Sequence, residues 1–384
     1  MRAFSRRGWL GAWTGLFAAA ALRSPASASQ AGSTDEPSAG QPPWTLGPFF
    51  RQREGQPILG SRSDTSFVCP IRRRAVSWEA KDVFNPAAVV RDGLVHLLYR
   101  AQDTEGRPGG TSRIGLATSP DGVQFTSRPQ PVLYPADDQW RRYEWEGGCE
   151  DPRIVEAEDS RYVMTYTAYD GQTARLFVAS SRDLVTWTKH GPAFGRADGR
   201  YRDTWSKSGA IVCARRGDRL IASRVGDRYW MYWGDTDVFL ASSGDLVEWT
   251  PLECNAGGGP PSLAVALAAR RRRFDSALVE PGPPAMMTPD GILLLYNGAN
   301  RQATGDAQLP EMAYSAGQAL FDPVDPAAVI GRTTTPFLTV HTVHEATGQV
   351  NNVCFVEGLV RFKGRWLLYY GMGDSRIGVA AANA

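Results

Sequence analysis

Three stretches of the chain repeat one pattern: Thr118-Ser119-Pro120-Asp121-Gly122-Val123-Gln124-Phe125, Ser180-Ser181-Arg182-Asp183-Leu184-Val185-Thr186-Trp187 and Ser242-Ser243-Gly244-Asp245-Leu246-Val247-Glu248-Trp249. Both intervals between them are 62 residues long. An aspartate and an aromatic residue keep their positions in every copy. We expect the aspartate to cap a tight turn and the aromatic ring to pack between neighbouring units.

Each copy follows two runs that are rich in β-branched and aromatic residues, as expected of strands. The second run of each pair reads Ile114-Gly115-Leu116-Ala117, Leu176-Phe177-Val178-Ala179 and Val238-Phe239-Leu240-Ala241. Two weaker copies follow near residues 292–296 and 366–370. A unit of this length holds four strands, so five units predict an all-β chain folded as a five-bladed β-propeller over residues 66–384. A β-sandwich with coincidental similarity is the alternative.

The N-terminus predicts export. Ser5-Arg6-Arg7-Gly8-Trp9-Leu10 is a twin-arginine pattern, and the small-x-small site Ala26-Ser27-Ala28 follows it. The apolar run from Gly8 to Leu22 is 15 residues long, shorter than the roughly 18 to 20 residues of a membrane-spanning helix. Residues 1–28 are therefore interpreted as a twin-arginine signal peptide of a periplasmic or secreted protein. Residues 29–65 are interpreted as a partly disordered leader, and no membrane span is expected in the mature chain.

Charge gives no indication of a nucleic-acid partner. The chain has 42 basic and 40 acidic residues, and removal of residues 1–28 takes away four arginines and no acid, which leaves 38 and 40. A nucleic-acid or anionic-membrane partner is typically indicated by a concentrated run of basic residues, and this nearly neutral sequence contains one dense run. The dense run Arg270-Arg271-Arg272-Arg273 is interpreted as a solvated loop.

No metal or other cofactor is expected. The cysteines and histidines form no metal-ligand motif; they are Cys69, Cys149, Cys213, Cys254, Cys354, His96, His190, His341 and His344. The odd number of cysteines leaves at least one thiol unpaired, and we expect a core that does not depend on disulfides. The sequence indicates no oligomeric state.

Polar residues open the first strand of each predicted blade, where a propeller brings its strands to one axis. These openings read Phe84-Asn85-Pro86-Ala87, Glu150-Asp151-Pro152-Arg153, Lys207-Ser208-Gly209-Ala210, Glu280-Pro281-Gly282 and Asn351-Asn352-Val353. Asp151 and Glu280 each precede a proline, which holds the preceding residue extended and aims its side chain. Hydrolysis of a glycoside needs one carboxylic acid and one carboxylate. We therefore predict Asp151 as the acid and Glu280 as the base, with Asp235 and Glu357 as rival bases.

Several motifs in order resemble glycoside hydrolase family 130. They are Asn85-Pro86-Ala87, Leu98-Tyr99-Arg100-Ala101, Ser112-Arg113-Ile114-Gly115-Leu116-Ala117, Gly148-Cys149-Glu150-Asp151-Pro152-Arg153-Ile154, Thr165-Tyr166-Thr167-Ala168-Tyr169 and Tyr369-Tyr370-Gly371-Met372-Gly373-Asp374-Ser375-Arg376-Ile377. The resemblance covers about residues 80–384. It implies a five-bladed propeller that cleaves β-mannosides with inversion, with Asp151 as proton donor. It also implies that Asn85, Arg100, Arg113 and Asp374 contact the mannose or the incoming nucleophile.

The family contains phosphorylases, which use phosphate, and hydrolases, which use water. Phosphorylases carry a His-Arg-Pro-like segment where this chain has Arg228-Tyr229-Trp230-Met231-Tyr232-Trp233-Gly234-Asp235, and a small neutral residue where it has Glu280. A carboxylate at that position would repel phosphate and is able to deprotonate water. These departures favour an inverting hydrolase of β-mannosides, β-1,2-linked ones in particular. The substrate contacts are also expected to include Arg153, Tyr169, Lys207 and Asp235. Lys207, Arg113 and Arg153 keep a phosphorylase that yields mannose 1-phosphate open as the alternative.

A non-catalytic glycan-binding propeller is the third reading. It would bind mannosides through aromatic faces such as Trp230, Trp233 and Tyr169. Retention of both carboxylates favours an enzyme over this reading. In either case the expected partner is a β-mannoside oligosaccharide.

Overall fold

The computed structural model describes residues 41–107, 109–196, 199–254 and 261–384. The predicted twin-arginine signal peptide, its cleavage site and residues 29–40 of the predicted leader lie outside the described residues. The described chain is almost entirely β, which confirms the predicted class.

Five groups of antiparallel strands follow one another along the chain. The first group is β4 (Asp82–Arg91), β5 (Leu94–Gln102), β6 (Ser112–Ser119) and β7 (Thr126–Ser127); the second is β8 (Gly148–Glu156), β9 (Tyr162–Tyr169), β10 (Ala174–Ser181) and β11 (Thr188–Pro192). The third is β12 (Ala210–Ile211), β15 (Arg224–Val225), β16 (Arg228–Trp233), β17 (Val238–Ser243), β18 (Trp249–Pro251) and β21 (Val265–Leu267). The fourth is β22 (Leu278–Pro281), β23 (Met286–Thr288), β24 (Gly291–Ala299), β25 (Tyr314–Phe321) and β26 (Val329–Arg332); the fifth is β27 (Cys354–Phe362), β28 (Arg365–Met372), β29 (Arg376–Asn383) and β1 (Phe50–Arg51).

The remaining elements are short. They are β2 (Phe67–Cys69), β3 (Arg74–Val76), β13 (Cys213–Arg216), β14 (Arg219–Ala222), β19 (Glu253–Cys254), β20 (Ser262–Leu263), a 3-10 turn at Arg53–Gly55, and the helices α1 (Arg141–Glu144) and α2 (Val343–Ala346). Among the described residues, no helix has the length and apolar character needed to cross a membrane.

Short parallel bridges join the groups. Ser112 of β6 pairs with Gly148 of β8, and the β13–β14 hairpin lies between β8 and β23. These bridges merge the first, second and fourth groups into one sheet of 15 strands, and no ladder among the described residues closes on itself. The five groups match the number of predicted repeats, and the five-bladed arrangement stays a prediction.

The three repeated turns have the structure that their sequence predicts. Asp183 accepts hydrogen bonds from the backbone N–H groups of Val185 and Thr186 at 2.8 and 2.7 Å, and Ser181 donates its hydroxyl to the same carboxylate at 2.9 Å. The equivalent aspartates of the first and third copies make the same bonds. Each turn is thus closed by its own side chains, as predicted for an aspartate at this position.

The aromatic residues of these turns pack between groups. Phe125 of the first group lies edge-on to Tyr369 of the fifth, with ring centroids 5.8 Å apart. Trp249 of the third group is buried in the same hydrophobic core cluster as Leu176 and Val178 of the second group. The predicted packing role is confirmed for these two rings.

The C-terminal part of the predicted leader is bound to the sheets. Strand β1 pairs with the last strand, β29, and Gln318 holds both the N–H and the carbonyl of Leu46 at 2.8 Å. Arg51 forms an ion pair at 2.8 Å with Glu345, which is fully buried. Residues 46–51 therefore belong to the folded body, because two elements distant in sequence hold their backbone and side chains.

The structure bears on two further predictions, one for the arginine run and one for the cysteines. The arginine run was predicted to be a solvated loop, yet Arg270 is half-buried and binds Asp275 through two nitrogens; only the three arginines after it are exposed. The interpretation was therefore wrong for Arg270, because a buried carboxylate needs a cation. All five cysteines are free, which fits a core independent of disulfides.

Candidate active site

The candidate site lies where the first strands of the groups meet. Both β4 and β8 contain a bulge, and the bulged residues are Asn85 in β4 and Asp151 with Pro152 in β8. Asn85 and Asp151 have φ angles of 49° and 45°. A bulge turns a side chain away from the ladder, and a positive φ at a non-glycine residue costs free energy that the surrounding structure must supply. Both features mark these positions as sites where side-chain direction matters more than regular pairing.

Asp151 is held by an amide and two cations. Asn85 Nδ2 and Arg100 Nη1 both donate to Asp151 Oδ1, at 2.9 and 3.0 Å. The other oxygen, Oδ2, lies 3.9 Å from the ammonium nitrogen of Lys207. The structure therefore brings three of the predicted site residues together around the predicted acid.

Close backbone packing fixes Asn85 in turn. The side chain is fully buried, and a Cβ at Gly371 of β28 would collide with its Oδ1 atom. Glycine is required at that position because β28 approaches so closely. The motif around Gly371 thus supports the site from behind.

Arg100 links Asp151 to a second carboxylate. Its Nη2 atom donates to Glu150 at 3.0 Å, its Nε atom donates to the Ser112 hydroxyl at 3.0 Å, and its guanidinium lies over the ring of Phe84. A buried arginine whose N–H groups donate to protein atoms in this way is held in one position.

The predicted base, Glu280, lies on β22 and is buried. The hydroxyl of Ser208 donates to its Oε1 atom. Ser208 has a φ of 56° and directly follows Lys207. A short strained segment therefore carries one side chain toward Asp151 and the next toward Glu280, which places the two predicted catalytic carboxylates on either side of residues 207–208.

Asp235 completes the carboxylate cluster. Burial raises the pKa of Asp235 to about 6; Lys207 lowers it, the like charge of Glu280 raises it, and a hydrogen bond from Trp205 lowers it. That bond runs from Trp205 Nε1 to Asp235 Oδ2 at 2.8 Å. Asp235 and Glu280 are thus close enough to repel each other, and Lys207 lies between the acid and this pair.

Arg153 was predicted to contact the substrate, and the structure turns it to the protein instead. Its guanidinium is buried and donates to the carbonyls of Pro281 and Gly282 at 2.9 and 3.1 Å and to Glu357 at 3.2 Å. It ties β8 to β22 and β27 directly behind Glu280. Glu357, a predicted rival base, is the carboxylate that neutralises this arginine.

Arg113 is likewise turned to a protein partner. It is buried, and its Nη1 atom donates to Asp103 at 2.8 Å. The same aspartate accepts three backbone N–H groups, from Glu105, Gly106 and Thr111. The pair therefore fixes the loop between β5 and β6, and the structure gives no direct support to Arg113 as a substrate contact.

Asp374 lies at the turn between β28 and β29, is buried and has a φ of 51°. Burial lowers the pKa of the Arg100 guanidinium, but the charges of Glu150, Asp151 and Asp374 outweigh burial and raise this pKa above its usual value. The structure thus places Asp374 with the cluster, on the side of Arg100.

The aromatic residues proposed for sugar stacking are distributed differently from the prediction. Trp233 is buried in the core, 4.6 Å from Phe194 between ring centroids, and Trp230 donates its indole N–H to the carbonyl of Val225. Neither ring faces the carboxylates, because alternation along β16 sends these side chains into the packing layers. Tyr169 ends β9 and lies edge-on to Trp205 at 6.5 Å.

Sequence reasoning missed Trp205, Ser208 and Glu150. Ser208 and Glu150 belong to the polar openings of the strands, but each lies next to a residue with more obvious chemistry, Lys207 and Asp151. Trp205 precedes Lys207 by two positions, the spacing of two residues on one face of an extended segment. That spacing was the available indication. Within the described ranges, no group of three or more His, Cys, Asp or Glu residues is arranged to hold a metal ion.

Comparisons with known proteins agree on one family. The model of glycoside hydrolase family 130, described as beta-1,4-mannooligosaccharide phosphorylase, matches residues 50–384. The 1,2-beta-oligomannan phosphorylase of Thermoanaerobacter sp. (strain X514) is 30% identical over 310 residues, which cover 79% of this chain and 90% of that protein. A glycosyl hydrolase structure from Bacteroides ovatus is 44% identical with a TM-score of 0.86, covering 90% of this chain and 96% of that one. Another solved structure has the same identity, TM-score and coverage. Its description states that the GH130 family of mannoside phosphorylases contains glycoside hydrolases that target β-1,2 mannosidic linkages in Candida mannan.

Proposed function

The chain belongs to glycoside hydrolase family 130, and from this premise we propose that it cleaves β-mannosides, β-1,2-linked ones in particular, with water as the attacking group. Asp151 serves as the proton donor to the leaving oxygen, and Glu280 serves as the base that activates water. The geometry that supports this assignment is the position of the two carboxylates on either side of Lys207 and Ser208.

The excess of buried carboxylates over buried cations is the observation that favours water over phosphate as the attacking group. Carboxylates outnumber cations around Asp151 and Glu280; the acids are Glu150, Asp151, Asp235, Glu280, Glu357 and Asp374, and the cations are Arg100, Arg153 and Lys207. Each of these cations has a carboxylate within ion-pair distance. Binding a phosphate dianion here would require cations that the carboxylates already neutralise, whereas a neutral water molecule carries no such cost.

The excess of carboxylates also suits a site that needs both an acid and a base. Neighbouring carboxylates disfavour each other's charge, so such a cluster retains a proton more readily than isolated carboxylates do. One member can then donate a proton while another accepts one from water. An inverting reaction also needs room for that water between the sugar and the base.

The neighbouring solved structures support this proposal by similarity. The structure whose description mentions hydrolases of β-1,2 mannosidic linkages is 44% identical over nine-tenths of this chain. The linkage preference proposed for this chain rests on that likeness and on the β-1,2 name of the curated relative.

Phosphorolysis is the second candidate. The family description and the curated relatives are named as phosphorylases, and those names favour it over hydrolysis. In that case Lys207 and Arg100 would bind phosphate, and the product would be mannose 1-phosphate. The carboxylates that pair with both cations are the structural argument against this role.

Two further parts of the proposal concern the fold and the compartment. We propose that the five strand groups close around the carboxylate cluster as five blades, which the contacts among β4, β8, β22 and β27 support. We also propose export to the periplasm or beyond by the twin-arginine route. Outside the cytoplasm a sugar phosphate conserves no energy unless it is imported, so export favours water as the acceptor.

The decisive experiment incubates the protein with β-1,2- and β-1,4-mannobiose, each with and without inorganic phosphate, and identifies the products. We expect mannose release from β-1,2-mannobiose without phosphate, with α-mannose as the first anomer seen by proton NMR. Activity that appears only with phosphate and yields mannose 1-phosphate would replace hydrolysis by phosphorolysis. Binding without cleavage under every condition would leave only a glycan-binding role.

A further inference from the structure

Trp205 is a tryptophan of the site that has no assigned role. It lies on the segment that leads into Lys207 and Ser208, and its side chain is partly exposed. Its indole N–H donates to Asp235 Oδ2 at 2.8 Å, and its ring meets Tyr169 edge-on. The ring thus closes one side of the carboxylate cluster with a polar atom directed inward.

The groups that face Asp235 come from several elements. Lys207 approaches from the segment before β12, Glu280 from β22, and Trp205 from the same segment as Lys207. Lys207 is shared with Asp151, so its charge is divided between two carboxylates. The Trp205 indole and the Thr236 hydroxyl also favour the charged form of Asp235, and both are neutral and keep their protons at every working pH. Of these two neutral donors, the indole is the one that comes from another segment of the chain, and its bond to Asp235 is 2.8 Å long.

An ionised Asp235 strengthens Glu280 as a base. Asp235 and Glu280 repel each other while both are charged, and this repulsion is relieved when Glu280 accepts a proton from water. A charged Asp235 therefore favours that proton transfer, and a protonated Asp235 gives no such help. Whatever holds Asp235 in its charged form acts on catalysis through Glu280.

We propose that Trp205 is a positioning residue whose indole N–H fixes the carboxylate of Asp235 beside Glu280. This inference rests on the proposed function, because it assigns Glu280 as the base. It gives Asp235 the role of tuning that base and gives Trp205 the role of holding Asp235 in its charged form. Trp205 itself exchanges no proton in the reaction.

The sign of the pH effect follows from the hydrogen bond. The indole donates to the charged carboxylate, so its removal raises the pKa of Asp235. The acidic limb of the kcat profile reports the ionisation of Asp235, and Trp205→Phe moves this limb to higher pH, by about one pH unit for the loss of one charge-assisted hydrogen bond. The readout is the pH at which this limb falls and not the height of the plateau, because loss of a side chain from the site also acts on kcat at every pH.

The test measures kcat against pH for the wild-type protein, Trp205→Phe and Trp187→Phe, on β-1,2-mannobiose with the acceptor that the wild-type protein uses. Trp187 is the matched control: its indole N–H donates to the carbonyl of Leu184 at 3.1 Å on a repeated turn, away from the site. We expect the limb to move only in Trp205→Phe. In an Asp235→Asn background, adding Trp205→Phe should move nothing, because the titrating group is absent.

The outcomes separate this inference from the proposed function. An unchanged limb in Trp205→Phe, or a uniform loss of kcat without a shift, overturns the positioning role while hydrolysis stands. A wild-type protein that needs phosphate overturns hydrolysis, and the limb is still compared with phosphate present. Thermal unfolding of each variant checks the fold; if Trp205→Phe does not fold, Trp205→Leu replaces it, because leucine keeps an apolar side chain and has no hydrogen-bond donor. An unchanged limb in Trp205→Leu would overturn the inference in the same way.

Discussion

Aspartates occupy two contrasting kinds of position in this protein, the repeated turns and the candidate site. At the turns, partial burial acts against charge on Asp183, but the N–H groups of Thr186 and Val185 outweigh it and lower its pKa to about 2. At the site, burial raises the pKa of Asp235 to about 6. The turn repeats its sequence in three copies, whereas the site uses a different residue at each strand opening. Repetition is therefore found where a residue has only to close a turn, and divergence is found where side chains must combine into one reactive cluster.

The largest expected effect comes from making one chemical change in both regions. Asp151→Asn keeps an acceptor for Asn85 and Arg100 but removes the proton that the leaving oxygen needs. We expect kcat to fall about 10²- to 10⁴-fold, the usual contribution of a general acid. Asp183→Asn, the same change at a turn, should leave kcat within about twofold, since the amide oxygen still accepts the backbone N–H groups. Steady-state rates of both variants on β-1,2-mannobiose measure this difference in kcat, and thermal unfolding checks that each variant folds. Full activity in Asp151→Asn would remove the acid assignment.

A smaller and sharper contrast lies within the site, between Glu280 and Asp235. Glu280→Gln keeps the acceptor for the Ser208 hydroxyl but removes the base, and we expect kcat to fall about 10²-fold or more. Asp235→Asn keeps the acceptor for Trp205 and removes only the charge beside the base, so we expect a smaller loss of kcat of about tenfold, equivalent to about 1.4 kcal/mol of activation free energy. Rates of the two variants at pH 7 and 8 measure the difference. A greater loss in Asp235→Asn than in Glu280→Gln would exchange their roles.

Sequence reasoning reached the turns in full and the site in part, for a physical reason. The aspartate of a turn bonds to N–H groups two and three residues away, so the pattern and its cause lie in the same eight residues. The partners of Asp151 lie elsewhere: Asn85 and Arg100 come from another strand group, and motif resemblance supplied them. The protein partners of Arg113 and Arg153 depend on which way each guanidinium turns after folding, and a pattern of residues does not encode that direction. Trp205 was missed because its single informative contact crosses from residue 205 to residue 235.

The smallest effect concerns stability and tests the turn side of the comparison. Asp183→Ala removes a charged acceptor from two backbone N–H groups and the Ser181 hydroxyl, and we expect a loss of about 1 kcal/mol in the free energy of unfolding at pH 7, reduced by solvent screening at this exposed position. The folded pKa of Asp183 is about 2, below an unfolded value of roughly 3.9. Its contribution is therefore complete above about pH 5 and disappears as the pH falls toward 2. Urea unfolding of the wild-type protein and Asp183→Ala at pH 7, 4 and 3 measures this directly. The difference between the two proteins should shrink at each step toward acid, because protonation removes in the wild-type protein the same charge that the substitution removes. A difference that stays constant with pH would mean that the turn is held by its shape alone, and the contrast between a charged turn and a proton-retaining site would lose its electrostatic basis.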